Sequence, residues 1–96
     1  MPSDSPWRVY IVECSDGSLY TGITNNLDRR LRQHNTGRAS RYTRSRLPVT
    51  LLYEASCTSR SDALIQEGKI KALSRAEKKA LIVERKRRRP LRKPER

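Results

Sequence analysis

Phenylalanine is absent from this chain, and tryptophan, methionine and histidine occur once each. About a third of its 96 residues are apolar. The core must therefore be modest, because a chain this short buries only about 60–65% of its unfolded surface. One small domain is expected. No apolar run approaches the roughly 20 residues that a membrane-crossing helix needs. Residues 1–6 are polar and hold no apolar h-region, so they read as a short N-terminal extension and not as a secretory signal. Cys14 and Cys57 have no CxxC spacing and no second histidine to join them. Zinc takes about four such ligands, which leaves two buried thiols in a reducing, cytoplasmic setting.

What the chain does have is positive charge. Twenty-two Lys and Arg against ten Asp and Glu give a formal net charge of +12. Residues 84–96 hold eight Lys/Arg and two Glu, a net of +6, and the other half lies in residues 1–83. Basic charge at this density attracts and steers polyanions. On a nucleic acid it acts through phosphate contacts and counterion release, with little sequence preference. Residues 85–96 read as a basic, disordered tail, with Pro90 and Pro94 favouring disorder, and such an arm can still bind nucleic acid.

Residues 7–14 and 18–24 read as two strands rich in β-branched and aromatic residues, joined around Asp16-Gly17. The turn length decides where the tyrosines point. A two-residue turn sets Tyr10 and Tyr20 on opposite faces. A three-residue loop, Ser15-Asp16-Gly17 with Gly17 left-handed, sets Val12 against Tyr20 and Tyr10 against Gly22. Both tyrosines then share one face, and Val9, Ile11, Leu19, Thr21 and Ile23 make a core face on the other. The three-residue loop is the register expected. Asn25 or Asn26 can cap a helix over about 27–35, which Thr36-Gly37 ends. Arg30 and His34 border its buried edge of Leu27 and Leu31. Residues 38–48 form a polar loop carrying Arg38, Arg41, Arg44 and Arg46 around Tyr42, either a binding segment or a solvated connector. A third strand over 49–55, a helix from Ser59 or Ser61 to about Leu73, and a helix over 75–88 opened by the capping box Ser74-Arg75-Ala76-Glu77 complete the chain. The order β-β-α-β-α-α points to an α/β (α+β) domain over 7–84, a small three-stranded sheet packed with helices.

A hairpin that turns two phenols toward a helix bearing Arg30 and His34 suits a phosphate. Glu67 adds a carboxylate. It shares a helical stripe with Ala63 and Ile70, within roughly 60° at 100° per residue. A carboxylate there is expensive unless paired or bound to metal. A structural ion pair with one of the many cations is one reading, and a Mg²⁺ ion that keeps several waters is the other.

Arg8-Val9-Tyr10, ten residues ahead of Tyr20-Thr21-Gly22, resembles the paired motif of the GIY-YIG nuclease family. Residues 26–35 resemble that family's first helix, with Arg30 at its essential arginine, and Ala63-Leu64-Ile65-Gln66-Glu67 resembles the stretch bearing its metal-binding glutamate. Arg41-Tyr42-Thr43-Arg44, Leu47-Pro48-Val49 and Ile70-Lys71 resemble its small single-domain bacterial branch. The resemblance covers about residues 7–83. It departs at Arg8, Val9 and Thr21, and no Asn follows Glu67, where many family nucleases carry one.

The resemblance implies a GIY-YIG-like fold and a metal-dependent endonuclease that hydrolyses phosphodiester bonds. A tyrosine would orient or deprotonate the attacking water, with Tyr10 favoured as the base and Tyr20 as a phosphate ligand, though the residues do not separate the two roles. Arg30 would be a clamp on the phosphate, and His34 a donor or proton relay. Glu67 would hold Mg²⁺ or another divalent cation. The partner would be DNA, with RNA also open, gripped by Arg38, Arg41, Tyr42, Arg44, Arg46 and Lys71. With no base-reading motif visible, selectivity would follow nucleic-acid structure. The competing readings are a non-catalytic basic nucleic-acid-binding module and an adaptor whose site has decayed.

Overall fold

The computed structural model describes residues 5–87. Two strands, β1 (Arg8–Glu13) and β2 (Leu19–Thr24), form the hairpin. Helix α1 (Leu27–Asn35), a helical turn α2 (Arg41–Arg44), strand β3 (Thr50–Ser56), and helices α3 (Arg60–Lys71) and α4 (Arg75–Arg87) follow. The sheet is antiparallel in the order β2-β1-β3.

The hairpin takes the three-residue-loop register. Tyr10 pairs with Gly22 and Val12 with Tyr20. Gly17 carries φ +85°, the left-handed conformation that closes such a loop without strain. Asp16 locks the turn from below by accepting from the amide and hydroxyl of Ser18, at 3.0 and 2.6 Å.

Side-chain alternation then gives the sheet two different faces. Val9 and Ile11 pack with Cys57, Ala63, Ile70 and Ile82, the last three from α3 and α4. Tyr10, Val12 and Cys14 pack on the other side with Val49, Leu27 and Leu31, so α1 covers that face. An irregularity between Ile11 and Val12 shifts the β1–β3 register, so that Tyr53 faces Ile11 but Leu51 faces Val12. The extra residue, Leu52, lets Leu52 and Tyr53 both reach the first cluster while Leu51 reaches the second. The two cysteines are free and buried, one in each cluster.

The caps follow the sequence. Asn26 is the N-cap of α1, its Oδ1 accepting from the Arg29 amide at 3.0 Å. Ser59 caps α3 by accepting from the Asp62 amide at 3.1 Å. Ser74 and Glu77 exchange both bonds of a capping box.

Two expectations shift. The loop expected over 38–48 contains α2, because Ser40 Oγ caps it by accepting from the amides of Tyr42 and Thr43. Residues 85–87, expected to belong to the disordered tail, continue α4, and the Arg85 guanidinium lies 6.0 Å from the Tyr53 ring centroid. Residues 1–4 and 88–96, which hold most of the expected extension and tail, lie outside the described residues.

Candidate active site

Tyr10 projects from β1 across its partner strand. A Cβ on Gly22 would lie 2.6 Å from Tyr10 Oη, so only glycine leaves the phenol this path. The side chain is 2% exposed, and its hydroxyl lies 2.8 Å from His34 Nε2. His34 is fully buried, and its Nδ1 lies 2.9 Å from Thr43 Oγ1. Thr43 Oγ1 in turn donates to the Ser40 carbonyl at 3.4 Å.

These contacts favour one imidazole tautomer. A hydroxyl has one hydrogen. Because that of Thr43 goes to Ser40, its oxygen accepts from His34 Nδ1–H. Nε2 is then the lone-pair nitrogen, and the Tyr10 hydroxyl donates to it. The neutral form fits the surroundings: burial first, then the positive charge of Arg30, holds the His34 pKa below its usual value. Burial also lifts the Tyr10 phenol well above its ordinary range. The charge of Tyr20 adds to that rise, Arg30 opposes it and Glu67 adds again. Three of the other expected catalytic groups thus act on one hydroxyl.

Tyr20 is the more open phenol. Its ring meets the His34 ring edge-on at 5.4 Å and stacks on Tyr42 at 6.1 Å, with 18° between the planes. With Leu19, Thr21, Tyr42, Lys71 and Lys78 it lines an open groove of about 340 Å³. Arg30 lines a second recess of about 180 Å³ with Trp7, Ile23, Thr24, Asn25 and Arg60. These two hollows place α3 along the edge strand β2, with Lys71 near Leu19 and Thr21 and Arg60 near Ile23 and Thr24. Glu67 falls between those ends.

Ala63 and Ile70 are buried on the aliphatic face of the sheet, so Glu67 belongs to a helix on the side opposite the tyrosines. Tyr10 crosses over Gly22 toward the β2 edge, and the charge of Glu67 on α3 acts on its hydroxyl. Glu67 is half-buried and pairs with Lys71 at 3.2 Å. Among the described residues no three His, Cys, Asp or Glu side chains cluster as a metal cage. A single carboxylate still fits Mg²⁺, which binds through one or two carboxylates plus substrate phosphate and retains waters.

The expected grip residues divide. Arg38, Arg41 and Arg44 are exposed around α2, and Tyr42 is 39% exposed. Arg46 is held inward: its Nε bonds Asp16 at 3.0 Å, its Nη1 bonds the Tyr42 carbonyl at 2.7 Å, and its guanidinium lies 4.0 Å from the Tyr42 ring centroid. It braces the loop against the hairpin. Thr43 and Lys78 escaped the sequence reading. Ser40 ahead of Tyr42 and Thr43 is a capping signal for α2, but nothing local marks Thr43 as the partner of His34.

The chain matches the GIY-YIG catalytic domain over residues 6–80. A UPF0213 protein of Desulfotalea psychrophila is 51% identical over 82 residues, covering 83% of this chain and 74% of the relative. One of the archaeon Halobacterium salinarum is 52% identical over 75 residues, covering 78% and 97%. The solution NMR structure of a UPF0213 protein of Bacillus halodurans superposes with a TM-score of 0.53 at 42% identity, covering 80% of this chain and 82% of that one. A tyrosine hydroxyl held by a buried histidine and reached by the charges of Arg30 and Glu67 is thus carried on a chain that belongs to the GIY-YIG nuclease family, in its small UPF0213 branch.

Proposed function

We propose that this protein is a divalent-metal-dependent endonuclease that hydrolyses DNA phosphodiesters and selects by nucleic-acid structure. The observation that carries this reading is the Tyr10–His34–Thr43 chain, with Arg30 and Glu67 both acting on the Tyr10 hydroxyl.

Burial holds the Tyr10 phenol in its protonated form. Tyr10 works instead as a relay. Its O–H points at His34 Nε2, which leaves its oxygen lone pairs to accept a proton from the attacking water. As that proton arrives, the phenol's own proton passes to Nε2, and Thr43 steadies the resulting imidazolium at Nδ1–H. The water oxygen forms the new bond to phosphorus, the bond to the leaving oxygen breaks, and that oxygen takes a proton from solvent. The imidazolium then returns its proton through Tyr10, which restores neutral His34. Arg30 pairs with the phosphate oxygens through its planar fork. Tyr20, at the groove wall, donates to a non-bridging oxygen. Glu67 would hold the cation, which when bound supplies charge stabilisation to the phosphate and leaving oxygen. That engagement frees Lys71 from Glu67 for the substrate backbone. Lys78, in the same groove, offers a late polar group in a chain with no Asn after Glu67.

Arg38, Arg41 and Arg44 would grip phosphates, which position a duplex without reading its sequence. No described helix is long and apolar enough to cross a membrane. Two free thiols fit a reducing compartment, the cytoplasm.

The test is cleavage of duplex, single-stranded, nicked, flap and branched DNA with Mg²⁺ or EDTA, comparing wild type with Glu67→Ala. Metal-dependent cutting on particular structures, lost in the variant, is expected. The Glu67–Lys71 ion pair favours a second reading, a non-catalytic binding module. Binding without cutting, equal in both proteins, would establish that one.

A further inference from the structure

Apart from Arg30, the residues of the recess beside it have no role in the chemistry above. Trp7, the single tryptophan of the chain, packs one side against the aliphatic cluster and borders the hollow. Arg60 stands over that indole, its guanidinium 5.8 Å from the ring centroid. Arg30 and Asn25 close the other walls. Among the described residues neither Arg30 nor Arg60 pairs with a carboxylate. An aromatic face, two uncommitted guanidiniums and an amide side chain are the groups that hold a nucleotide: a π-surface for a base, forks for phosphates, and a donor–acceptor pair for a base edge.

Size and surroundings narrow the ligand. About 180 Å³ is less than the roughly 300–1,000 Å³ of a drug-sized pocket and suits one planar base. A neighbouring hollow that shares Asn25 carries Asp28 and Glu54. Arg8 also lines that hollow and pairs with Glu54 at 3.6 Å, which leaves Asp28 to disfavour phosphate there and Arg60 to favour it on the other side. Along the β2 edge this recess flanks the position of Glu67 at one end, as the Tyr20–Lys71–Lys78 groove does at the other.

We infer that the Trp7–Asn25–Arg30–Arg60 recess binds an unpaired deoxynucleotide adjacent to the scissile phosphate, its base on Trp7 and its far phosphate on Arg60. The inference rests on the nuclease reading for its register, since Arg30 is shared between the two. It also supplies the structure selectivity which that reading leaves without a source. A base inside a duplex has both faces stacked and cannot lie on an indole, whereas a base at a flap, gap or junction can. Arg60 moves from the indole to the phosphate as the base arrives.

The full-length protein in EDTA, which cannot cut, gives a direct test. Trp7 is the sole source of indole emission. A fluorescein-labelled single-stranded deoxyoligonucleotide should quench it saturably. The blunt duplex of the same sequence should raise the anisotropy of its label while leaving Trp7 emission unchanged. Trp7→Ala should weaken single-strand binding by about 5- to 150-fold, the range for one base–aromatic stack, and Trp7→Phe should retain most of it. Arg60→Ala, an exposed change that leaves the fold alone, should reduce the slope of log K against log salt by about 0.7, one single-strand phosphate. Binding of either DNA with no change in Trp7 emission overturns the inference, as does equal quenching by both forms. An unchanged salt slope in Arg60→Ala does so too. Cleavage plays no part in this assay, so a nuclease with a silent Trp7 loses only the recess. A protein whose Trp7 is quenched but which never cuts loses only the nuclease reading.

Discussion

The two faces of one three-stranded sheet follow different rules. On the α3–α4 side, Val9, Ile11, Ala63, Ile70 and Ile82 exclude water with no polar atom among their side chains. On the α1 side, an equally buried layer is threaded by a phenol, an imidazole and a hydroxyl, each the other's partner. The first face holds the fold through area removed from water, which is non-directional. The second adds directional bonds that are costly to leave half made. The stabilising face is therefore tolerant in chemistry and strict in volume. The other face is strict in both, because each polar atom there needs its own buried partner.

Breaking the polar face at its first link should give the largest effect. Tyr10→Phe removes the relay and should lower single-turnover cleavage by about 10²–10⁴-fold, the usual worth of a positioned acid–base group. It also leaves Nε2 of His34 buried without its donor, at about 1–3 kcal/mol. Cleavage near wild-type rate in a folded Tyr10→Phe would move the base to Tyr20. Next comes the opposite face. Ile11→Ala should cost about 2–5 kcal/mol by urea denaturation, yet leave cleavage per folded molecule unchanged. A variant equally stable but inactive would mean that the two faces are not separable.

A smaller effect tests the crossing point itself. Gly22→Ala puts a methyl against Tyr10 Oη, and overpacking of this kind costs about 1–3 kcal/mol. It should slow cleavage more than its stability loss explains, because the displaced phenol loses its line to His34. The gentlest probe is pH. His34 is held below its usual pKa in the fold, and an unfolded histidine titrates near about 6.5. Below that value the unfolded chain binds the extra proton and the native one does not, so stability is full above about 6.5 and falls as pH drops toward the native value. Urea midpoints at pH 7.5 and 5 should differ more in wild type than in His34→Gln. An equal difference would assign the acid sensitivity to other groups.

Much of this arrangement was readable in the residues, and the limits have physical causes. The hairpin register followed from a period of two, because only the three-residue loop put apolar residues on one face and both tyrosines on the other. Helix starts followed from Asn26, Ser59 and Ser74, whose side chains bond within three residues. Contacts that need the tertiary fold were not readable. Thr43 meets His34 only because α2 folds back over α1. The extra residue at Leu52 leaves no mark in a run that is apolar on both faces. Glu67 shares the Ala63–Ile70 stripe of α3, but which of the many cations pairs with it, Lys71, depends on rotamers that the sequence does not carry. Arg46 looked like a phosphate contact until Asp16 claimed it.

Since the chain has one histidine, the hydrogen-bonded Nδ1 proton shared with Thr43 is unique in the molecule. Sealed from bulk water by a fully buried ring, it should exchange slowly and appear as a single isolated imidazole resonance. That line would report the electronic state of the Tyr10 hydroxyl from across the imidazole ring, undisturbed by any other side chain of its kind.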